Sequence, residues 1–302
     1  MSDVILRIND LSKTYGPKKV LDGVSFEVER GKIYGFIGEN GAGKTTAIRA
    51  ITGLSPIENG TIELFGKSDN KGLAEARRKM GCLVESPILD MRKTAKENLM
   101  LQELLYGNKD ASKADKILNR VGLGDFKNKK VGNFSLGMKQ RLGIALALIN
   151  DPELLILDEP VNGLDPMGMV DVRELLVSLC RDDGITIVIS SHILAELYKL
   201  ATDYIIISHG HIISTLSKDE LDKLCTTHIV METEHNDEAM SILTSNGIAT
   251  MNSDEGSISI YGNVETKEVA RLMYDHQILV TQLTKHERTL EEYYIELLGR
   301  EA

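Results

Sequence analysis

Three cysteines are too few and too scattered to frame a disulfide-stapled fold. Cys82, Cys180 and Cys225 are odd in number and no two sit at metal-ligand spacing, which fits a chain made for a reducing compartment. Long apolar runs are also missing. None approaches the ~18 residues needed to span a bilayer, and the opening stretch MSDVILRIND lacks the charged-then-apolar pattern of a secretory leader. If the chain serves a membrane process, another chain must supply the pore. Nor is there a surplus of positive charge: 35 basic residues stand against 45 acidic ones, a net of −10. The imbalance is local. From Asp219 onward 17 acidic residues face 6 basic ones, a net of −11, which leaves 28 acidic and 29 basic residues in 1–218, a net of +1. Phosphate backbones are held by Lys and Arg, so this tail argues against nucleic-acid binding there; a solvated acidic face is the plain reading. What is present is ordinary for a globular protein, with 42% hydrophobic and 26% charged residues. A chain of 302 residues accommodates one large domain and a small one.

Residues 32–37 (KIYGFI) read as a short buried strand. GENGAGKTT follows, from Gly38 to Thr46, and then TAIRAITGL places Ala47, Ile48, Ile51 and Leu54 at helical spacing. G-x-x-x-x-G-K-T between a strand and a helix is the context that confirms a phosphate-binding loop, or P-loop. Gly38, Gly41 and Gly43 let backbone N–H groups, those of Asn40 and Thr46 among them, curl around phosphate oxygens with no Cβ in the way. The helix N-terminus adds its positive dipole end. Lys44 can reach the outer phosphates and the Thr45 hydroxyl can sit on Mg²⁺. A second element agrees: LLILDE, residues 154–159, is a doubly buried strand ending in two acids. Asp158 is the expected Mg²⁺ ligand and Glu159 the group that orients or deprotonates the attacking water.

Further along, residues 133–149 read NFSLGMKQRLGIALALI, a helix that Asn133 or Ser135 can cap. This segment resembles the signature of ATP-binding-cassette (ABC) ATPases, usually written LSGGQ and here Phe134-Ser135-Leu136-Gly137-Met138. Ser135 and Gly137 match the common form; Leu136 and Met138 depart from it. The resemblance covers residues 4–218, and the other family elements follow in order. Tyr15 in LSKTYG stands where the family stacks an aromatic ring on adenine. Asn162-Gly163-Leu164-Asp165 resembles the D-loop. Ser190-Ser191-His192 resembles the H-loop, whose histidine hydrogen-bonds the γ-phosphate. His209 and His211 in SHGHII read instead as a hairpin turn. No heptad stretch lies between Lys44 and Ser135, which excludes the long coiled coil of chromosome-maintenance and repair ATPases.

In GCLVESPILD, residues 81–90, a buried strand stops at Glu85 before the Ser86-Pro87 turn. A bare carboxylate there must be solvated, paired or metal-bound. Most transporter cassettes carry glutamine at this place, the Q-loop, near Mg²⁺ and the membrane subunit. The glutamate, FSLGMKQRLGIA and a length of 302 residues resemble the bacitracin-resistance and lantibiotic-immunity exporter group. A carboxylate ~4 Å from a phosphate charge is repelled by roughly 4 kcal/mol at an effective dielectric of about 20, so Glu85 is expected to act through Mg²⁺ or its water, or to stay retracted. Whether it couples the site to the membrane subunit or is a tolerated substitution stays open.

After Lys218 the pattern changes to helix DELDKL, strand HIVMETE, helix DEAMSILTSN, strands IATMNS and GSISIYG, helix TKEVARLMYD, strand ILVTQLT and helix TLEEYYIELL. This β-α-β-β-α-β order implies a ferredoxin-like accessory module over 219–302, for self-association, exporter contact or stabilisation. The resemblance thus implies an α/β chain: a P-loop NTPase core over 1–218 with ABC antiparallel-β and helical subdomains, the latter about 86–150, plus the α+β module. It implies an ATPase using ATP and Mg²⁺, a homodimer when ATP-bound, without nucleic acid. It implies a cytoplasmic location, peripheral on the inner face of the membrane, and a separate integral permease exporting an antimicrobial peptide. A lipid, drug or sugar cargo, or a non-transport ABC ATPase, is the alternative, although translation-type members carry two cassettes and this chain carries one.

Overall fold

The computed structural model describes residues 3–107, 111–225, 227–252, 256–261, 264–287 and 289–301. Met1 and Ser2 of the opening stretch, and Ser253 and Gly262 at the ends of two expected strands, lie outside the described residues. The chain divides into two compact units, Met1–Lys218 and Asp219–Ala302.

The first unit begins with an antiparallel ribbon, β1 (Val4–Tyr15) and β2 (Lys18–Glu29). Next come β3 (Ile33–Ile37), α1 (Lys44–Thr52) and β4 (Asn59–Leu64), which returns to pair with β1 and completes a sheet of order β2-β1-β4. The chain continues through α2 (Asn70–Arg77), β5 (Met80–Leu83), α3 (Ala95–Leu105), α4 (Ala111–Arg120), α5 (Leu136–Ala147) and β6 (Leu154–Asp158). It closes with α6 (Pro166–Asp183), β7 (Thr186–Ser191), α7 (Leu194–Leu200), β8 (Asp203–Ser208) and β9 (His211–Ser217); α8 (Lys218–Leu224) follows and, but for its first residue, belongs to the second unit. A second sheet has the order β5-β6-β7-β3-β8-β9, with β9 alone antiparallel. β3, β6, β7 and β8 are buried at every position, as strands covered on both faces must be. β5 is an edge strand, so Cys82 of the expected buried run is exposed.

The core lies between the two sheets. Ala47, Ile48 and Ile51 of α1 share it with Leu6, Ile8 and Leu21 of the ribbon and with Phe36, Ile156 and Ile205 of the larger sheet. The Phe26 and Phe36 rings, 5.6 Å apart, bridge the layers. Each such side chain contributes about 1.5–3 kcal/mol on burial, which anchors α1 rigidly beneath the loop that precedes it. The helix stops earlier than its apolar spacing implied: Gly53 adopts φ 81 as the left-handed cap, leaving Leu54 outside and 65% exposed. Of the two candidate caps for α5 it is Ser135 that serves, its hydroxyl accepting from the Met138 N–H at 3.2 Å. His209 and Gly210, both at positive φ, turn β8 into β9.

The second unit contains β10 (Thr227–Thr233), α9 (Asn236–Ser245), β11 (Ala249–Asn252), β12 (Ile258–Tyr261), α10 (Thr266–Asp275), β13 (Val280–Glu287) and α11 (Leu290–Glu301). Its sheet has the order β11-β12-β10-β13, antiparallel throughout, so α9 and α10 each link two strands separated by a third. Ile229, Met231, Leu243, Ile260, Val269 and Met273 form a core of its own. Among the described residues no helix is long and apolar enough to cross a membrane.

Candidate active site

Most of the candidate residues gather at the carboxyl ends of β3, β5, β6 and β7, where open α/β sheets bind ligands. The loop from β3 to α1 is shaped by glycine. A Cβ on Gly38 would lie 2.6 Å from the Ile207 carbonyl oxygen, and Gly43 takes φ 116 with Leu21 Cδ2 only 2.7 Å from where a Cβ would be. No other residue passes these points. The loop leaves a hollow of about 220 Å³ lined by Asn40, Gly41, Gly43, Lys44, Thr45, Thr46 and Glu159. Its polar backbone and the N-terminus of α1 suit a phosphate.

Lys44 is 6% exposed and its Nζ donates to the carbonyls of Gly38 at 2.6 Å and Glu39 at 3.2 Å. Burial pushes the Lys44 ammonium below its usual pKa, while the charges of Glu159 and Asp158 act to raise it. Asp158, at the end of β6, is 2% exposed and receives two hydroxyls: Thr45 Oγ1 at 2.9 Å on one oxygen and Ser190 Oγ at 2.5 Å on the other. A hydroxyl and a carboxylate oxygen side by side are the hard oxygen donors that Mg²⁺ takes alongside phosphate. The residues present therefore fit that ion.

Glu159 follows in a strained left-handed conformation, φ 51. Its N–H donates to both the carbonyl and the hydroxyl of Ser190, at 3.1 and 3.0 Å. Its carboxylate is met by His192 Nδ1 at 2.8 Å. A cleft of about 590 Å³ adjoins the hollow, sharing Thr45 and Glu159 with it and adding Glu85, Leu136, Lys139, Gln140, Asp158 and Asn162. Glu85, with φ 64, is ion-paired to Arg49 on α1. Glu85 is thus paired, while its side chain stays 61% accessible, and no local motif marks Arg49 as its partner.

The structure thus brings Asn40, Gly41, Gly43, Lys44, Thr45, Thr46, Glu85, Asp158 and Glu159 around two adjoining hollows, with Gly38 and His192 holding Lys44 and Glu159. Tyr15, Ser135 and Gly137 line neither. Tyr15 is 45% exposed, with its hydroxyl 3.2 Å from Ser55 Oγ and Lys13 Nζ 5.3 Å from its ring centroid. Ser190, within the segment that resembles the H-loop, links Asp158 at the end of β6 to Glu159 beyond it. Its signal was a hydroxyl ending an otherwise apolar strand. Another hollow of about 590 Å³, lined by Arg120, Arg141, Arg173 and Lys199, has its cations already matched to Asp183, Asp171 and Glu196.

The profile of the ABC transporter family matches residues 21–162. The chain is 39% identical to the bacitracin transport ATP-binding protein BcrA of Bacillus licheniformis, over 98% of this chain and 97% of that protein. It is 41% identical to the lantibiotic transport ATP-binding protein SrtF of Streptococcus pyogenes, over 76% of this chain and 99% of that protein. Among solved structures, a dimeric ATP-binding cassette in a post-hydrolysis state bound to ADP and Pi superposes with a TM-score of 0.64 at 25% identity, covering 71% of this chain and 99% of that one.

Proposed function

The chain belongs to the ABC transporter family of ATP-binding subunits and is an ATPase; from that premise we propose that it powers a separate membrane permease that exports an antimicrobial peptide of the bacitracin or lantibiotic kind. The match to the bacitracin subunit extends over nearly the whole chain, second unit included, and this supports the cargo class. In this reading the chain works at the cytoplasmic face of the membrane as a homodimer, and the permease supplies the path. The acidic second unit is an accessory to that assembly, without a nucleic-acid role.

The observation that carries the mechanism is the meeting of Lys44, the Thr45–Asp158 pair and Glu159 at one glycine-lined hollow. The loop N–H groups and Lys44 bind and orient the β- and γ-phosphates. Thr45 and Asp158 would hold Mg²⁺, with Glu85 on the same cleft as a further carboxylate for it, and the ion would neutralise phosphate charge. Glu159 takes the proton of the attacking water, and His192 holds that carboxylate and faces the γ-phosphate. Tyr15 stacks on adenine. Ser135 and Gly137 serve the nucleotide of the partner subunit.

The cargo is tested in cells that carry the chain together with a candidate multi-span permease. Growth inhibition by bacitracin, a lantibiotic and an unrelated small-molecule drug is compared. Peptide resistance that disappears with Lys44→Ala supports the reading. Resistance confined to the non-peptide drug overturns it.

A further inference from the structure

Thr45 and Arg49 are four residues apart on α1 and therefore share one face of the helix. Thr45 reaches Asp158, one residue beyond Leu157 in β6; Arg49 reaches Glu85, two residues beyond Leu83 in β5. Leu83 and Leu157 are register partners in adjacent parallel strands. A single helix face thus addresses two neighbouring strand-end acids, and both acids line the cleft that adjoins the phosphate loop.

The charges in that cleft are lopsided. Glu85, Asp158 and Glu159 line it, with Lys139 the only cation among the lining residues. ATP adds several more negative charges. Asp158 has a metal-binding partner in Thr45, and Glu159 has His192. Glu85 has Arg49, through a side chain-to-side chain hydrogen bond, and holds a positive φ of 64 that an L-residue adopts only under constraint.

We propose that Arg49 is a positioning residue of the ATP site: it neutralises the Glu85 carboxylate at the mouth of the phosphate cleft and holds it against α1. Arg49 touches no phosphate in this scheme and acts through Glu85. The pair is partly exposed, with side chains 42% and 61% accessible, so its contribution is modest and salt-dependent. One uncompensated charge about 4 Å from a phosphate, in water-like surroundings, weakens binding about five-fold.

The inference rests on the reading of this cleft as the ATP site. The test measures ATP affinity of the full-length chain without Mg²⁺, by displacement of a fluorescent ATP analogue, so that charge compensation is read apart from turnover. Arg49→Met should weaken ATP binding about five-fold at low ionic strength and hardly at all in about 1 M salt, where the screening length falls to about 3 Å. Adding Glu85→Gln to Arg49→Met should restore the affinity to within about two-fold of wild type. Arg49→Lys keeps the charge and should also restore it. Arg49 also sits in the last turn of α1, where any cation favours the helix end. A lowered melting temperature in Arg49→Met with unchanged low-salt affinity would therefore reduce Arg49 to that structural part and overturn the proposal. So would a double variant as weak as Arg49→Met alone. If the wild-type chain itself bound no ATP, the reading of the cleft would fall, and the inference with it.

Discussion

Glu159 is held on every side: its N–H donates to Ser190 twice, the Asn162 N–H donates to its carbonyl, and the ring and backbone N–H of His192 meet its carboxylate. A residue at φ 51 persists only where its surroundings insist on it. This favours a carboxylate aimed for a task. If it takes the proton from the attacking water, Glu159→Gln keeps the shape and removes the base. Hydrolysis should fall by about 10²–10⁴-fold with ATP affinity retained, measured by phosphate release and nucleotide binding on the same preparation. Ser190 is the second test. Its hydroxyl orients Asp158 and anchors Glu159, and loss of an outer partner of a metal ligand typically costs about 10–100-fold in metal affinity or activity. Ser190→Ala should raise the Mg²⁺ concentration needed for half-maximal ATPase activity; an unchanged Mg²⁺ dependence would remove Ser190 from that part. Residue by residue, the site was readable wherever one local requirement dictates the residue type. Only glycine clears Ile207 and Leu21 around the loop, so the loop announced itself. Arg49 and Ser190 stayed hidden because their partners lie 36 and 32 residues away and neither type is unusual where it stands.

Elements were legible for a related reason. Strands buried on both faces leave unbroken apolar runs, and IYGFI and LLILD each appear as strands where those runs predict them. Helix ends were harder, because they depend on caps and not on periodicity: Leu54 fits the apolar face of α1, yet Gly53 ends the helix before it. The last helix of the chain offers a test of cap chemistry under pH control. Glu292 of α11 accepts the Thr289 N–H at 2.9 Å while Thr289 Oγ1 accepts the Glu292 N–H at 3.2 Å, and His286 Nε2 on β13 lies 3.0 Å from the same carboxylate. Burial pushes the Glu292 carboxyl up, but the Thr289 N–H and the His286 ring outweigh it and hold the group below its ordinary value. A depressed carboxyl stabilises the fold above its unfolded pKa of about 4.3, and the contribution is lost as pH falls through the lower folded value. Glu292→Gln should therefore speed hydrogen exchange in α11 by about two- to five-fold at neutral pH, as expected for a partly exposed contact. The gap between variant and wild type should close below pH about 4. A gap that persists at low pH would show that the carboxylate is not the source.

At the scale of the whole molecule, the placement of Ser135 and Gly137 is the informative feature. They begin α5, yet neither lines the phosphate hollow of its own chain or the cleft beside it. If they serve a nucleotide, as proposed, it belongs to another chain, and a two-fold symmetric pair is the common way to supply one. The dimeric cassette with which this chain superposes has that stoichiometry. The arrangement makes a prediction that a single-chain site cannot imitate. Ser135→Arg spoils the serine and keeps the loop; Lys44→Ala spoils the loop and keeps the serine. Each variant alone gives symmetric dimers with no complete site. Mixed in equal amounts, half of the dimers are hetero-pairs, and each of these carries one site built from the good loop of one chain and the good serine of the other. ATPase activity should recover to about a quarter of wild type, if the two chains pair without preference. If both groups acted within one chain, no chain in the mixture would be complete and activity would stay at the level of the single variants. Ser135→Arg also removes the cap of α5, worth about 1 kcal/mol, so its melting curve is recorded beside its activity. Pairing of the two chains is confirmed by differential tags before the rates are compared. Background activity in a mixture shown to contain hetero-dimers would exclude the shared site.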